Sequence, residues 1–157
     1  MENIKRVLSY TRRAVDDYQM IRAGDRIAIG ISGGKDSLTL LCALAELRRF
    51  YPEPFELEAI TIDMGLDGMD FSGVTELCRR LDVPYHTVPT QIAKIIFDVR
   101  KEPNPCSLCA KMRRGALHGA AVDLKCNKVA LGHHFDDVVE TFMLNLFFEG
   151  RLGCFQP

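Results

Sequence analysis

Residues 27–37 read Ile27-Ala28-Ile29-Gly30-Ile31-Ser32-Gly33-Gly34-Lys35-Asp36-Ser37. An apolar run reaches two adjacent glycines, and Lys35, Asp36 and Ser37 then open a leucine-rich segment. This pattern predicts a buried strand, a tight loop and a helix N-terminus in unbroken succession. Backbone N–H groups of the loop and the positive end of the helix dipole then converge on one place, which suits an oligophosphate. The spacing is not that of a Walker A loop, which has four residues between its first glycine and the Gly-Lys pair, then Ser or Thr. Here three residues separate Gly30 from Gly34, and Asp36 follows Lys35.

The rest of the chain reads as a frame for that loop. Residues 3–22 have the spacing of an amphipathic helix, with Ile4, Val7, Leu8, Thr11, Ala14, Val15, Tyr18 and Ile21 on one stripe. Lys5, Arg6, Arg12 and Arg13 lie off the stripe, on a face that is either merely solvated or in contact with RNA. Residues 1–24 therefore read as an N-terminal helical segment, and 25–157 as a nucleotide-binding domain. Strands are expected over 26–31, 55–63, 85–88 and 127–132, with helices over 35–50, 70–81 and 133–149 and a short helix or irregular piece over 92–99. This alternation predicts an α/β fold, a doubly wound, Rossmann-like parallel sheet with helices on both faces. Asp63 and Met64 fall at the carboxyl end of the second strand, where open sheets bind ligands. Asp63 is either a nucleotide contact or a turn former.

Composition sets limits. The chain has 157 residues, 47% of them hydrophobic, and a net charge of −1, so no global basic field advertises nucleic acid. No run is long enough to span a membrane, and early charges interrupt any leader-like stretch. A cytoplasmic location is expected, where the six cysteines are reduced, metal-bound or catalytic rather than disulfide-paired. Cys42 and Cys78 read as core residues.

Two further stretches carry chemistry. In Asn104-Pro105-Cys106-Ser107-Leu108-Cys109, Asn104 suits a helix cap and Pro105 a first helical residue. Cys106 then lies in the first turn, where the helix dipole favours a thiolate, and Cys109 shares its face. Arg113 continues that face and Arg114 is adjacent, so a thiol pair stands beside cations suited to an anionic substrate. Two thiols complete neither a zinc site nor a cluster, and Cys126 and Cys154 are candidate further ligands. Arg100, Lys101, Lys111, Arg113 and Arg114 are compatible with phosphate contacts or with a solvated face. The other stretch, Leu131-Gly132-His133-His134-Phe135-Asp136-Asp137-Val138-Val139-Glu140-Thr141, leaves a strand and enters a helix. Its carboxylates are either ordinary first-turn caps or ligands for Mg²⁺ and nucleotide.

Taken together, Ser32-Gly33-Gly34-Lys35-Asp36-Ser37, the NPCSLCAKMRRGAL stretch and LGHHFDDVVET resemble, in order, the PP-loop ATP pyrophosphatases. The closest branch is that of the tRNA 2-thiocytidine synthases, and the likeness runs over about residues 25–150. The resemblance implies the adenine nucleotide alpha hydrolase-like fold. It also implies an ATP-dependent tRNA sulfurtransferase that adenylates C2 of an anticodon-loop cytidine and replaces the oxygen by sulfur. Implied cofactors are ATP, Mg²⁺ and a [4Fe–4S] cluster held by three cysteines. Implied partners are tRNA and a sulfur donor, with a possible homodimer that covers residues 142–148. Carried over by position, Ser32, Gly33, Gly34, Lys35, Asp36, Ser37, Asp63, Gly132 and Asp137 bind nucleotide. Asp36, Arg113 and Asp137 serve catalysis, and Cys106 and Cys109 bind metal. The family's third cysteine and fifth strand would follow Pro157, so the chain reads as an N-terminal portion. An amide-forming PP-loop enzyme and a non-catalytic ATP-binding or Fe–S module are the alternative readings.

Overall fold

In a computed structural model, residues 2–66, 68–100 and 105–154 are described. The elements run α1 (Glu2–Asp17), β1 (Arg26–Gly30), α2 (Lys35–Arg48), β2 (Glu56–Asp63), α3 (Ser72–Leu81) and β3 (Tyr85–Pro89). A short α4 (Ile92–Lys94) continues as a π-helical segment, Ile95–Arg100, before α5 (Pro105–Asp123), β4 (Lys128–Ala130) and α6 (Phe135–Glu149).

The four strands form one parallel sheet in the order β3-β2-β1-β4. The chain steps outward from β1 to β3, then returns across the sheet to place β4 on the other side of β1. The strand order therefore reverses between β1 and β4, and a crevice opens beyond their carboxyl ends. Alternation along the strands divides the core. Ile27, Ile29, Leu57 and Ala59 face α1, α2 and α3, with Leu41, Leu44 and Leu47 packed on them. Ala28 and Ile60 face Leu117 and Ala121 of α5 on the opposite side. The parallel sheet is covered on both faces, as its near-continuous apolar strands require.

The N-terminal helix ends at Asp17, earlier than the expected 22–24. Gln19 takes a left-handed φ of +48°, which stops the helix. Ile21 is nevertheless buried, because the following turn folds it into the core, whereas Tyr18 is exposed. A polar clasp holds that turn. The buried Asp25 carboxylate accepts hydrogen bonds from the Arg22 amide, the Asn127 side chain and Lys128 Nζ. Lys128 also donates to the Met20 carbonyl, so the α1–β1 connection is tied to β4.

Burial acts to raise the Asp25 pKa, but the bonds from Lys128, Arg22 and Asn127 outweigh it and lower it from 3.8 to about 2. The folded value lies below the unfolded one, so the ionised clasp contributes its full stability above about pH 4. That contribution is lost as the pH falls through about 2. Asp25→Ala is expected to lower the unfolding free energy by roughly 2 kcal/mol at neutral pH, since it strands Lys128 and Asn127. Urea unfolding of both proteins checks this, and the gap between them should close on acidification.

Cys78 is 1% exposed and belongs to the core; Cys42 is half-buried. Helix α6 is different. None of its residues is buried, and Phe135, Leu144, Phe147 and Phe148 are well exposed. Among the described residues, no helix is long and apolar enough to cross a membrane.

Candidate nucleotide and thiol site

The Ser32–Ser37 loop is folded on its own hydroxyls. Ser37 Oγ donates to the Gly34 carbonyl (2.9 Å) and accepts from the Ser32 amide (3.2 Å). Ser32 Oγ lies 3.2 Å from Ser37 Oγ and accepts from the Gly34 amide at 3.3 Å. Gly33 has a φ of +81°, which a glycine takes without strain. Gly34 occupies the cap position of α2 and brings no side chain to it, so the first-turn amides receive no side-chain cap. Those amides and the helix dipole are thereby left to an anion.

The β4–α6 connection approaches this loop closely. A Cβ added at Gly132 would stand 2.8 Å from the Ser37 amide nitrogen and 2.9 Å from the Asp36 carbonyl carbon. Backbone meets backbone here, and only glycine fits. Beyond Gly132, His134 caps α6: its amide donates to Asp137 Oδ2 at 2.7 Å, and the imidazole takes part in a capping box. The ring also lies 3.9 Å from Asp36 and 3.5 Å from Asp137, so it stands between the carboxylates of the two loops.

These loops and α5 enclose a cleft of about 430 Å³. Ser32, Gly34, Asp36, Ser37, Gly132 and Asp137 line it, together with Arg113. Arg114, His118 and His133 add polar groups, and Ile60, Ile62, Leu117 and Leu131 make an apolar wall. An apolar wall beside converging cations and amides suits a ligand with a flat base and an anionic tail. The sequence reading did not single out His118 or the apolar wall. The available signal was helical spacing, because Leu117 and His118 follow Arg113 and Arg114 by one turn.

Other expected site residues stand elsewhere. Lys35 is 85% exposed and its ammonium pairs with Asp36 at 3.2 Å; neither it nor Gly33 lines the cleft. Asp63 is outside the lining, and its carboxylate accepts the Gly65 amide at 2.9 Å in a tight turn. Asp136 and Glu140 also lie off it. Cys106 is exposed and Cys109 half-buried, in the first turns of α5. Cys109 Sγ donates to Met64 Sδ at 3.6 Å. Cys126 follows the far end of α5, roughly 20 Å of helix away from Cys109. Cys154 Sγ donates to the Val138 carbonyl. Among the described residues, no three His, Cys, Asp or Glu side chains gather into a metal site. Asn104 and Lys101 lie outside the described residues.

A sequence model of the PP-loop domain matches residues 6–153. The chain belongs to the PP-loop domain family. Among its relatives, the tRNA-cytidine(32) 2-sulfurtransferase of Pelobacter propionicus is 50% identical over 141 residues, which is 89% of this chain and 52% of that protein. The enzyme of the same name from Geobacter sulfurreducens is 45% identical over 98% of this chain and 60% of its own length. The chain thus spans little more than half the length of these relatives. Among solved structures, the U34-tRNA thiolase NcsA of Methanococcus maripaludis, with its [4Fe–4S] cluster, matches with a TM-score of 0.77 and 29% identity. That match covers 96% of this PP-loop chain and 51% of the thiolase. An NH3-dependent NAD synthetase from Campylobacter jejuni shares the fold, with a TM-score of 0.52 and 14% identity.

Proposed function

We propose that this chain is the ATP-binding part of a cytoplasmic tRNA sulfurtransferase that replaces O2 of an anticodon-loop cytidine by sulfur. The observation that carries the reading is the position of α5. One helix brings Arg113 and Arg114 to the nucleotide cleft and, a turn or two earlier, holds Cys106 and Cys109.

In this reading ATP lies with its base against Ile62, Leu117 and Leu131 and its β- and γ-phosphates on the Ser32–Ser37 loop. The uncapped amides of α2 bind the departing pyrophosphate, where charge develops as the bond from the α-phosphorus to the α,β-bridging oxygen breaks. Arg113 and Arg114 offset charge on the α-phosphate as the cytidine oxygen attacks it. Asp36 and Asp137, brought near one another across the crevice, would hold Mg²⁺, which supplies further neutralisation of the phosphates. Adenylation turns the cytidine oxygen into part of a good leaving group, AMP, which a sulfur nucleophile from a separate donor then displaces.

Cys106 and Cys109 would supply two ligands of a [4Fe–4S] cluster; among the described residues no third His, Cys, Asp or Glu joins them. Such a cluster supplies an iron that can carry the incoming sulfur. The same side chains also favour thiolation over amide formation, since ammonia needs no thiol pair.

The test is nucleoside analysis of tRNA incubated anaerobically with the protein, ATP, Mg²⁺ and sulfide. The expected product is 2-thiocytidine, formed only when ATP is present. Unmodified cytidine with a loaded, ATP-bound protein would contradict the proposal.

A further inference from the structure

We propose that one flank of α5, formed by Ser107, Lys111, Arg114 and His118, is the track on which the sugar–phosphate backbone of the substrate RNA lies while its target base enters the cleft. The inference rests on RNA being the substrate, as proposed above, and adds where that RNA is held and by which groups.

The first observation is placement. Residues 107, 111, 114 and 118 follow one another at intervals of four, three and four, which sets them one above another along a helix. All four are exposed. A different face of α5 meets the sheet, with Leu117 and Ala121 buried on it. Cys109 lies on the opposite flank, where its thiol reaches Met64 beyond the end of β2. The polar flank runs for roughly 16 Å. It is continuous with the cleft, because Arg114 and His118 line the cleft as well.

The second observation is charge. Between Glu102 and Asp123 the sequence holds no Asp or Glu, yet it holds Lys111, Arg113 and Arg114. Arginines on the other helices are neutralised close by: Arg12 pairs with Asp16, Arg13 with Asp17, Arg49 with Glu46 and Arg79 with Glu76. Among the described residues, no carboxylate pairs with Lys111 or Arg114. With a net charge of −1, the chain has no global excess of cations, so this is a local patch. Neighbouring unpaired cations repel one another, and a polyanion relieves that repulsion by giving each a phosphate. Gly115 stands one turn from Lys111, and an added Cβ there meets nothing within 4 Å, so a nucleic-acid backbone can come close to the helix. Lysine and arginine contacts of this kind position RNA without reading its sequence. They suit a single-stranded loop, whose backbone follows the protein while its bases splay outward.

The test is binding of a fluorescently labelled anticodon stem-loop RNA to the whole chain, read by anisotropy over a range of salt concentrations. Gly115→Glu sets a carboxylate beside Lys111 and Arg114 and should weaken RNA binding by about tenfold or more, whereas the uncharged Gly115→Gln should stay within about twofold of the parent. Lys111→Gln removes one phosphate contact, so the slope of log affinity against log salt should become shallower by about 0.7. Arg12→Gln, on α1, should leave affinity and slope unchanged. ATP affinity, by isothermal titration, should not move in any of these variants, since none of the three positions lines the cleft. Equal RNA affinity in the parent and in Gly115→Glu would overturn the inference. So would a loss in Gly115→Gln as large as that in Gly115→Glu, or a shallower slope in Arg12→Gln but not in Lys111→Gln. RNA held on this flank but left unthiolated with ATP and sulfide present would count against the proposed function and not against the track.

Discussion

Gly132→Ala is expected to weaken ATP binding by about a hundredfold or more while leaving the protein folded. The added methyl would meet the Ser37 amide nitrogen at 2.8 Å and the Asp36 carbonyl at 2.9–3.0 Å. These are backbone atoms at the start of α2, and they have no rotamer with which to yield. Relief must come from moving the β4–α6 connection away from the phosphate loop. Such a shift spoils several hydrogen bonds to charged phosphate at once, each worth about 1.5–3 kcal/mol, so a loss on the order of a hundredfold in affinity follows. The same movement would separate His134 and Asp137 from Asp36. Gly119→Ala is the matched control, because an added Cβ on that α5 residue meets nothing within 4 Å. It should bind ATP normally. Isothermal titration with ATP, alongside thermal melts of both variants, reads the result.

Cys106→Ser combined with Cys109→Ser is expected to remove bound iron and thiolation together, while ATP affinity stays within about twofold of the parent. Neither cysteine lines the nucleotide cleft, and serine preserves the first turns of α5. Serine offers a hard oxygen in place of a soft thiolate, which the cluster iron does not accept in its stead. The measurements are iron per chain after anaerobic reconstitution, 2-thiocytidine in tRNA, and ATP affinity. A joint loss of iron and ATP binding would instead mean that the cysteines support the fold of α5.

What the sequence made legible was what local pattern encodes. The strand–loop–helix of residues 26–37 could be read because each part is contiguous and each has its own period or turn chemistry. The parallel sheet and the crevice followed from alternation of elements, and the solved thiolase and synthetase share that fold. Helix ends were less legible: α1 stops at Asp17 because Gln19 turns left-handed, although the apolar spacing continues to Ile21. The approach of Gly132 to Asp36, the position of His134 between two carboxylates and the Met64–Cys109 contact were not legible. Each depends on which loops the order β3-β2-β1-β4 sets side by side, and periodicity within one segment carries no such information. The same applies to Cys126, which the length of α5 carries away from the thiol pair, whereas of the two roles open to Asp63 in the sequence its carboxylate takes up a turn, accepting the Gly65 amide. Helix α6 lies where the expected final helix was read, and none of its residues is buried.

The central claim is that the crevice between β1 and β4 cleaves ATP between its α- and β-phosphates to activate tRNA. The direct measurement is the product distribution from ATP labelled at the α- and γ-phosphates, incubated with the protein, Mg²⁺ and tRNA. The account predicts AMP and pyrophosphate, formed in proportion to tRNA and lost in Gly132→Ala. Formation of ADP and inorganic phosphate would contradict it.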